Sequence, residues 1–193
     1  MNRAGARRTP PGHVFLIGFS GSGKSTVGPR LARRLGIAFW DTDELIAQKH
    51  RKTIDRIFAD EGEAAFRKYE SAVIAGLLRN ARSPGVIALG GGALLSRANR
   101  VLVQRHGIVV YLSCSIREIY RRMKAKADRP LLKTGPSAGP TRRQALLLRI
   151  RDLLNQRKPS YRLADMTVST TTASVNDTVR RIYRRIRKQY ADC

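Results

Sequence analysis

The feature that most constrains this chain is the segment Gly-Phe-Ser-Gly-Ser-Gly-Lys-Ser at residues 18–25. It matches the pattern GxxxxGK[ST] at every specified position, and it follows a short apolar run at residues 14–17. Apolar residues then recur at Val27, Leu31 and Leu35, a spacing that predicts a helix. In a strand, loop and helix of this order, backbone N–H groups can wrap a polyphosphate.

This loop predicts a nucleotide site with defined contacts. Its glycines let the backbone approach phosphate oxygens closely. Lys24 can reach the β- and γ-phosphates, and the Ser25 hydroxyl can bind Mg²⁺. GTPases, ATPases and kinases all carry such a loop, so other segments must separate these classes. The residues predicted to contact ATP here are Gly21, Ser22, Gly23, Lys24, Ser25 and Thr26.

Short apolar runs alternate with helical periodicity along the chain. Continuous apolar strands predict a parallel sheet with helices on both faces, and 193 residues suggest one compact domain. Strands are predicted at 14–17, 37–40, 86–89, 108–112 and 166–169. Helices are predicted at 24–35, 44–49, 53–79 with a break near Gly62, 98–104, 115–126, 142–157 and 175–190, with a loop at 127–141. In such folds ligands bind beyond the carboxyl ends of the strands, so Gly18, Asp41 and Gly90 should meet at one rim.

The charge of the chain is unusual, with 38 Lys and Arg against 14 Asp and Glu, a net of +24. The basic residues are scattered, with only modest clusters at 142–143 and 180–188, and aromatic residues are not interleaved in the way that stacking platforms would need. We therefore interpret them as solvated helix faces and expect no specific nucleic-acid partner. No apolar run approaches the roughly 20 residues of a membrane span, so we expect no membrane association. Cys114 and Cys193 form no CxxC pair, and we expect a cytoplasmic protein.

Two carboxylates, Asp41 and Asp43, stand at the end of the second predicted strand. Alternate strand residues share a face, so both can point into one cleft. One could hold Mg²⁺ through water while the other accepts a proton from an acceptor hydroxyl. An equally good interpretation is a helix N-cap.

Two further segments are candidates for binding an acceptor. Arg67 and Glu70 are neighbours on one helix face, where Glu70 could hold the planar Arg67 fork for a substrate carboxylate. Taken alone, a surface ion pair is the better interpretation. Gly90, Gly91 and Gly92 directly follow a buried strand and would permit close backbone contact with a ligand, although a flexible turn is the alternative.

Two later arginines complete the set. Arg129 lies in a stretch rich in Pro, Gly and Lys that could close over a triphosphate, or could be a solvated linker. Arg157 lies near a helix end and carries little information by itself.

Together these segments resemble the shikimate kinase family over nearly the whole chain, from about Val14 to Tyr190. The resemblance rests on GFSGSGKSTVG at 18–28, DTD at 41–43, IFADEGEAAFRKYE at 57–70, ALGGG at 88–92, DRPLL at 128–132 and RKPSY at 157–161. It implies a three-layer α/β/α P-loop kinase fold with a five-stranded parallel sheet, a lid and a substrate-binding helical segment. Residues 1–12 would be a basic tail, 13–193 a single domain, and about 122–141 the lid.

The resemblance also implies an activity, in which ATP and Mg²⁺ serve to phosphorylate the 3-hydroxyl of shikimate. Lys24, Asp43 and Arg129 would be catalytic, and Arg129 would also contact ATP. Ser25 would bind the metal, with Asp41 in its outer shell. The implied substrate residues are Asp43, Phe58, Phe66, Arg67, Glu70, Gly90, Gly91, Gly92 and Arg157.

Some alternatives and departures remain. A kinase of another polyol acid, such as gluconate, and a non-catalytic effector-binding domain are the competing hypotheses. Residues 169–176 contain no arginine where many relatives place one against adenine, while Arg122 falls at a second arginine position of the lid region. A monomer is expected from the size of the chain.

Overall fold

A computed structural model describes residues 12–81, 83–125 and 140–189. Five parallel strands form one sheet in the order β2-β3-β1-β4-β5. The strands are β1 His13–Ile17, β2 Ala38–Asp41, β3 Gly85–Ala88, β4 Gly107–Ser113 and β5 Met166–Ser169. The helices are α1 Lys24–Leu35, α2 Thr42–His50, α3 Ile54–Asn80, α4 Arg97–His106, α5 Ile116–Lys124, α6 Pro140–Tyr161 and α7 Val175–Gln189, with a short 3-10 turn at Ala93–Leu95. The predicted α/β fold with a five-stranded parallel sheet is confirmed.

The apolar runs form strands because helices cover both faces of the sheet. All five residues of β1 are buried at its centre. Val14 and Leu16 face the layer formed by α1 and α7, whereas Phe15 and Ile17 face the layer that includes α3 and α4. Alternation along one buried strand thus supplies side chains to two cores, which explains why residues 14–17 include no polar side chain.

Glycines end or interrupt two helices as the sequence predicts. Gly36 follows α1 with φ 72°, and its N–H donates to carbonyl oxygens of the last helical turn. Gly62 lies within α3 at φ 80° and ψ 174°, which breaks the helix at the predicted position. The second half of α3 can therefore take its own direction toward the sheet.

Several predicted boundaries differ from the structure for local reasons. Helix α2 begins at Thr42 instead of Glu44, because the Asp41 carboxylate accepts the Asp43 N–H and starts the helix earlier. Helix α4 begins at Arg97, where Ser96 caps it. Helix α6 begins at Pro140, inside the predicted loop, at a position where the missing N–H of proline costs nothing.

Some predictions fall on other parts of the chain. Residues 1–11, most of the predicted lid and Arg129 lie outside the described residues. Among the described helices, none combines the length and apolar character needed to cross a bilayer.

Candidate active site

The carboxyl ends of the strands open onto one cleft of about 990 Å³. Glycine-rich loops follow β1 and β3, and helix α2 starts directly from β2, so the predicted segments meet there. The predicted site residues that line the cleft are Gly21, Ser22, Gly23, Lys24, Ser25, Thr26, Asp41, Asp43, Phe58, Phe66, Arg67, Gly90, Gly91, Gly92 and Arg157. Glu70 lies behind Arg67, where its side chain is only 1% exposed.

The loop after β1 has the backbone that its glycines allow. Gly21 and Gly23 have φ of 86° and 103°, in the region that side chains with a Cβ avoid. Lys24 Nζ donates to the carbonyl oxygens of Gly18 at 2.9 Å and Phe19 at 3.4 Å. The ammonium group is thereby held over the loop, next to the N-terminus of α1, where an anion is stabilised.

Ser25 and Asp41 form the pair expected for a magnesium site. The Ser25 hydroxyl donates to Asp41 Oδ2 at 2.8 Å, while Asp41 Oδ1 accepts the Asp43 N–H at 3.0 Å. Asp41 therefore acts as an N-cap and also faces the loop, so the two interpretations of this residue are compatible. A hydroxyl and a carboxylate beside a phosphate loop fit Mg²⁺, which is bound through few protein oxygens together with substrate phosphates.

The described residues contain no group of three or more His, Cys, Asp and Glu side chains arranged around one point. Ser25 and Asp41 supply one hydroxyl and one carboxylate, a donor set that suits a metal which also binds the phosphates of a nucleotide.

Asp43 occupies the first turn of α2, so the prediction that it shares a strand face with Asp41 is wrong. The start of this helix is anchored by Thr42, whose hydroxyl donates to Ala88 O at 3.2 Å and accepts the Gly90 N–H at 3.1 Å. Thr42 is fully buried and ties α2 to β3 and to the glycine loop. This anchor fixes the position of Asp43 relative to Gly90, and the sequence analysis missed it because a Thr between two Asp carries no signal of burial.

The ion pair of Arg67 and Glu70 is largely buried, so the surface interpretation of this pair is wrong. Arg67 Nη1 donates to Glu70 Oε2 at 2.8 Å, and Arg67 Nη2 donates to Glu63 Oε1 at 2.9 Å. Burial raises the pKa of Glu70, and the attraction of Arg67 opposes that rise without cancelling it. Burial lowers the pKa of Arg67, but the two glutamates outweigh it and the net shift is upward. The guanidinium group of Arg67 is thus charged, and Glu70 and Glu63 fix its orientation.

Each glycine after β3 leaves room for one polar side chain of the site. A Cβ on Gly90 would collide with Glu70 Oε1 and lie 3.0 Å from Asp43 Oδ1. A Cβ on Gly91 would lie 2.8 Å from Arg157 Nη1, and one on Gly92 would lie 2.6 Å from Arg67 Nη2. The three glycines therefore serve close packing of charged groups, and none of them has a positive φ.

Arg157 reaches the same loop from α6. Its guanidinium lies 5.2 Å from the centre of the Phe19 ring. One turn later, the buried Tyr161 donates its hydroxyl to Gly91 O at 2.8 Å and stacks on Tyr111. Burial raises the pKa of Tyr161 to about 12, so it stays a donor. Tyr161 is a site-supporting residue that the sequence analysis quoted within a motif without assigning it a role.

Phe58 and Phe66 form the apolar wall of the cleft beside Arg67. Their ring centroids are 4.7 Å apart, and Arg67 lies 5.3 Å from the Phe66 ring centre. A compact ring with polar substituents could rest on this wall while charged groups contact its edge.

Arg122 connects the opposite end of the cleft. It donates to Thr170 O and, at 3.3 Å, to Gly21 O, while its Nε donates to Glu118 Oε1 at 2.7 Å. Thr170 is buried and its hydroxyl also donates to Ser22 O at 2.9 Å. An arginine from α5 thus reaches the loop after β5 that contains none of its own, and Thr170 is a second residue that the sequence analysis missed.

Comparisons with known proteins agree with this geometry. The family model for shikimate kinase matches residues 20–187. A shikimate kinase of Chlorobium chlorochromatii is 42% identical over 178 residues, which cover 92% of each chain. One of Chlorobium phaeovibrioides is 44% identical over 180 residues, which cover 91% of this chain and 90% of the other.

Solved structures give the same result. A shikimate kinase from Acinetobacter baumannii in complex with shikimate is similar with a TM-score of 0.83 and 34% identity, covering 95% of this chain and 96% of the other. A gluconokinase from Sinorhizobium meliloti has a TM-score of 0.56 and 21% identity over 96% of this chain and 97% of the other, which shows a shared fold alone. With a family model that spans most of its length and relatives above 40% identity, this chain belongs to the shikimate kinase family.

Proposed function

We propose that this chain transfers the γ-phosphoryl group of ATP to the 3-hydroxyl of shikimate, giving 3-phosphoshikimate and ADP. The observation that carries the proposal is the convergence of Asp43, Arg67 and Arg157 on one glycine loop beside the phosphate loop. Two arginines and a carboxylate are the expected complement of a small acid that also carries hydroxyl groups.

The acceptor half of the site would use these three residues. Arg67, held by Glu70 and Glu63, and Arg157 would bind the substrate carboxylate. Asp43 would accept the proton of the attacking hydroxyl at one of its carboxylate oxygens, or orient that hydroxyl. Phe58 and Phe66 would contact the ring, and Gly90 to Gly92 would border it.

The donor half would use the loop after β1. Backbone N–H groups of residues 21–26 and the Lys24 ammonium group would bind the phosphates. Ser25 would hold Mg²⁺ directly and Asp41 would hold it through water, and the bound ion would supply positive charge next to the phosphate oxygens. Arg129 is proposed as a further cation that contacts ATP from the lid. Phosphoryl transfer requires mainly positioning and charge, which these groups supply.

We also propose a single domain that works as a cytoplasmic monomer. The described strands form one sheet with a cleft at their carboxyl ends, which supports a single domain, and the size of 193 residues supports a monomer. Cys114 is a free thiol, and dependence on ATP fits the same compartment.

The proposal is tested by ADP release in a coupled assay with shikimate and with other polyol acids, gluconate among them. Shikimate should give turnover that requires both ATP and Mg²⁺. Turnover with gluconate and none with shikimate would favour the rival kinase, and tight shikimate binding without any turnover would favour an effector-binding domain.

Asp43→Asn separates chemistry from binding. Asn keeps the shape of Asp43 and its place in the first turn of α2 but cannot accept the proton, so kcat should fall by about two to four orders of magnitude. The KM for ATP should change less than about threefold, because Asp43 is not placed against the nucleotide. A kcat that stays within about twofold of the parent value would remove Asp43 from the chemistry.

A further inference from the structure

The excess positive charge of this chain is distributed unevenly over the fold. Eight of the 14 acidic residues lie between Asp41 and Glu70, on β2, α2 and α3. Helix α1 contains no acidic residue and α7 contains only Asp177. Helices α1 and α7 together carry ten Lys and Arg residues against this one acidic residue, so the layer that they form is strongly basic.

The two helices pack side by side on one face of the sheet. Leu31 and Leu35 of α1 share a buried cluster with Ile182 and Ile186 of α7. Their outer sides carry exposed basic residues, and a groove of about 680 Å³ runs between them. The groove is lined by Arg30, Arg33, Arg34, Asn176, Val179 and Arg180. Along α7 the exposed arginines continue at 181, 184, 185 and 187.

The contacts that the arginines of this surface make with one another's neighbours leave most of their positive charge available to bind an external anion. Arg30 donates to the neutral Asn176 Oδ1 at 3.2 Å, and Arg34 lies 4.7 Å from the centre of the Tyr183 ring. Arg180 pairs with Asp177 at 3.4 Å, and both side chains are about half exposed. An exposed ion pair of this kind contributes little to stability, so Arg180 can bind another anion in place of Asp177.

The spacing of the arginines suits a regular polyanion. Arg180, Arg184 and Arg187 recur at intervals of four and three residues, so they form one row along α7. The seven residue steps from Arg180 to Arg187 span about 10 Å at a rise of 1.5 Å per residue. That length corresponds to about three phosphate steps of one DNA strand at 3.4 Å. Guanidinium groups also bind phosphate oxygens with two parallel hydrogen bonds.

The chemistry of the surface selects among polyanions. The exposed large apolar residues of the described chain, Leu95, Val101, Leu148 and Leu163, all lie outside α1 and α7, so this surface offers no apolar group to insert into a bilayer. Tyr183 is covered by Arg34, so no open aromatic ring is available for stacking of single-stranded bases.

We propose that the face formed by α1 and α7 binds the phosphate backbone of duplex nucleic acid without reading its sequence. This is compatible with the expectation that the chain has no specific nucleic-acid partner. It does not depend on the kinase proposal, since Arg33, Arg180 and Arg184 do not line the catalytic cleft.

The experiment measures fluorescence anisotropy of a labelled duplex of about 20 base pairs over a series of KCl concentrations, using the full chain. One variant carries Arg33→Gln, Arg180→Gln and Arg184→Gln. The matched control carries Arg79→Gln, Arg97→Gln and Arg105→Gln, which are exposed on α3 and α4 at the other face of the sheet. Both variants lose the same charge, and the melting temperature of each, measured by circular dichroism, reports that it remains folded.

The parent should bind with an affinity that falls steeply as salt is added. In the first variant the slope of log Kd against log[KCl] should be smaller by about 2 to 3, because three phosphate contacts are removed. The control should lose less than about 1. A third variant, with Arg33→Lys, Arg180→Lys and Arg184→Lys, should restore the slope because it restores the charge.

Three outcomes would overturn the proposal. Equal slope losses in the first variant and in the control would mean that net charge alone drives binding. Absence of binding at about 100 mM KCl would exclude a useful interaction. Binding to phosphatidylserine vesicles that depends on these arginines, with duplex binding that does not, would assign the surface to membranes instead.

Discussion

At the residue scale, the site depends on charged side chains whose positions are fixed by hydrogen bonds from other side chains. Glu70 has no direct place on the cleft, yet it fixes Arg67 while its own carboxylate is buried. Burial of an ionised carboxylate opposes folding, and here that carboxylate is paired with the arginine that it positions. Two predictions test this arrangement.

Arg67→Lys should weaken shikimate binding. An ammonium group keeps the charge but cannot bridge Glu70 and Glu63 while offering a planar fork to a carboxylate. We expect the KM for shikimate to rise by about tenfold or more, with the KM for ATP changed by less than about twofold. Steady-state kinetics with each substrate varied in turn measure this, and an unaltered KM for shikimate would contradict the role of Arg67.

Glu70→Gln should change how stability depends on pH. The pKa of Glu70 is raised in the folded state, so its stabilising contribution is present below its ordinary unfolded pKa and is lost as pH rises through the raised value. Gln does not ionise, so the free energy of unfolding of the variant minus that of the parent should increase from acid to neutral pH. Each pH unit between the two pKa values is worth about 1.4 kcal/mol.

Urea denaturation of both proteins at several pH values measures that difference. A difference that decreases across this range would show that Arg67 outweighs burial and lowers the pKa of Glu70, and a constant difference would show that the two effects cancel. If the Glu70→Gln variant is more stable than the parent but binds shikimate more weakly, Glu70 serves substrate binding and does not stabilise the fold.

At the element scale, the glycine loop after β3 is the point at which α2, α3 and α6 are brought together. Thr42 binds Gly90 from α2, Tyr161 binds Gly91 from α6, and Arg67 of α3 lies against Gly92. The loop therefore sets the distances among groups that come from three helices far apart in the chain.

Gly92→Ala should impair the site and spare the fold. The new Cβ would lie 2.6 Å from Arg67 Nη2, and the end of a long side chain can move away. We expect a KM for shikimate raised by roughly tenfold and a melting temperature within about 3 °C of the parent. Gly76→Ala is the matched control, since its Cβ would meet nothing within 4 Å in a helix and should stabilise the protein by about 0.5 to 1 kcal/mol. Equal kinetics in the two variants would contradict the packing argument.

At the scale of the whole molecule, the net charge of +24 opposes compactness. The basic residues of α1 and α7 repel one another across a shared layer, and this repulsion is screened as salt is added. The acidic residues, eight of which lie between Asp41 and Glu70, compensate only part of it.

The melting temperature should therefore rise by several degrees from about 20 mM to about 300 mM KCl. Circular dichroism at a fixed protein concentration measures it. The variant Arg33→Gln, Arg180→Gln and Arg184→Gln should show a smaller rise, because part of the repulsion has been removed. A melting temperature that falls with salt would mean that attractive ion pairs, such as those of Glu118 with Arg121 and Arg122, dominate instead.

Local patterns in the amino-acid sequence were sufficient to predict the fold class, the phosphate loop and the identity of most charged groups at the cleft. A short apolar run that leads into glycines is typical of a buried strand, and a glycine-rich loop before a helix presents N–H groups that suit an anion. Tertiary structure decided the rest, namely that Asp41 both caps α2 and binds Ser25, that Glu70 is buried behind Arg67, and that Thr42, Tyr161 and Thr170 support the loops. The hydrogen bonds of Thr42, Tyr161 and Thr170 join residues 46 to 148 positions apart in the chain. These bonds, like the burial of Glu70, depend on how the helices pack on the sheet, and no local pattern contains that information.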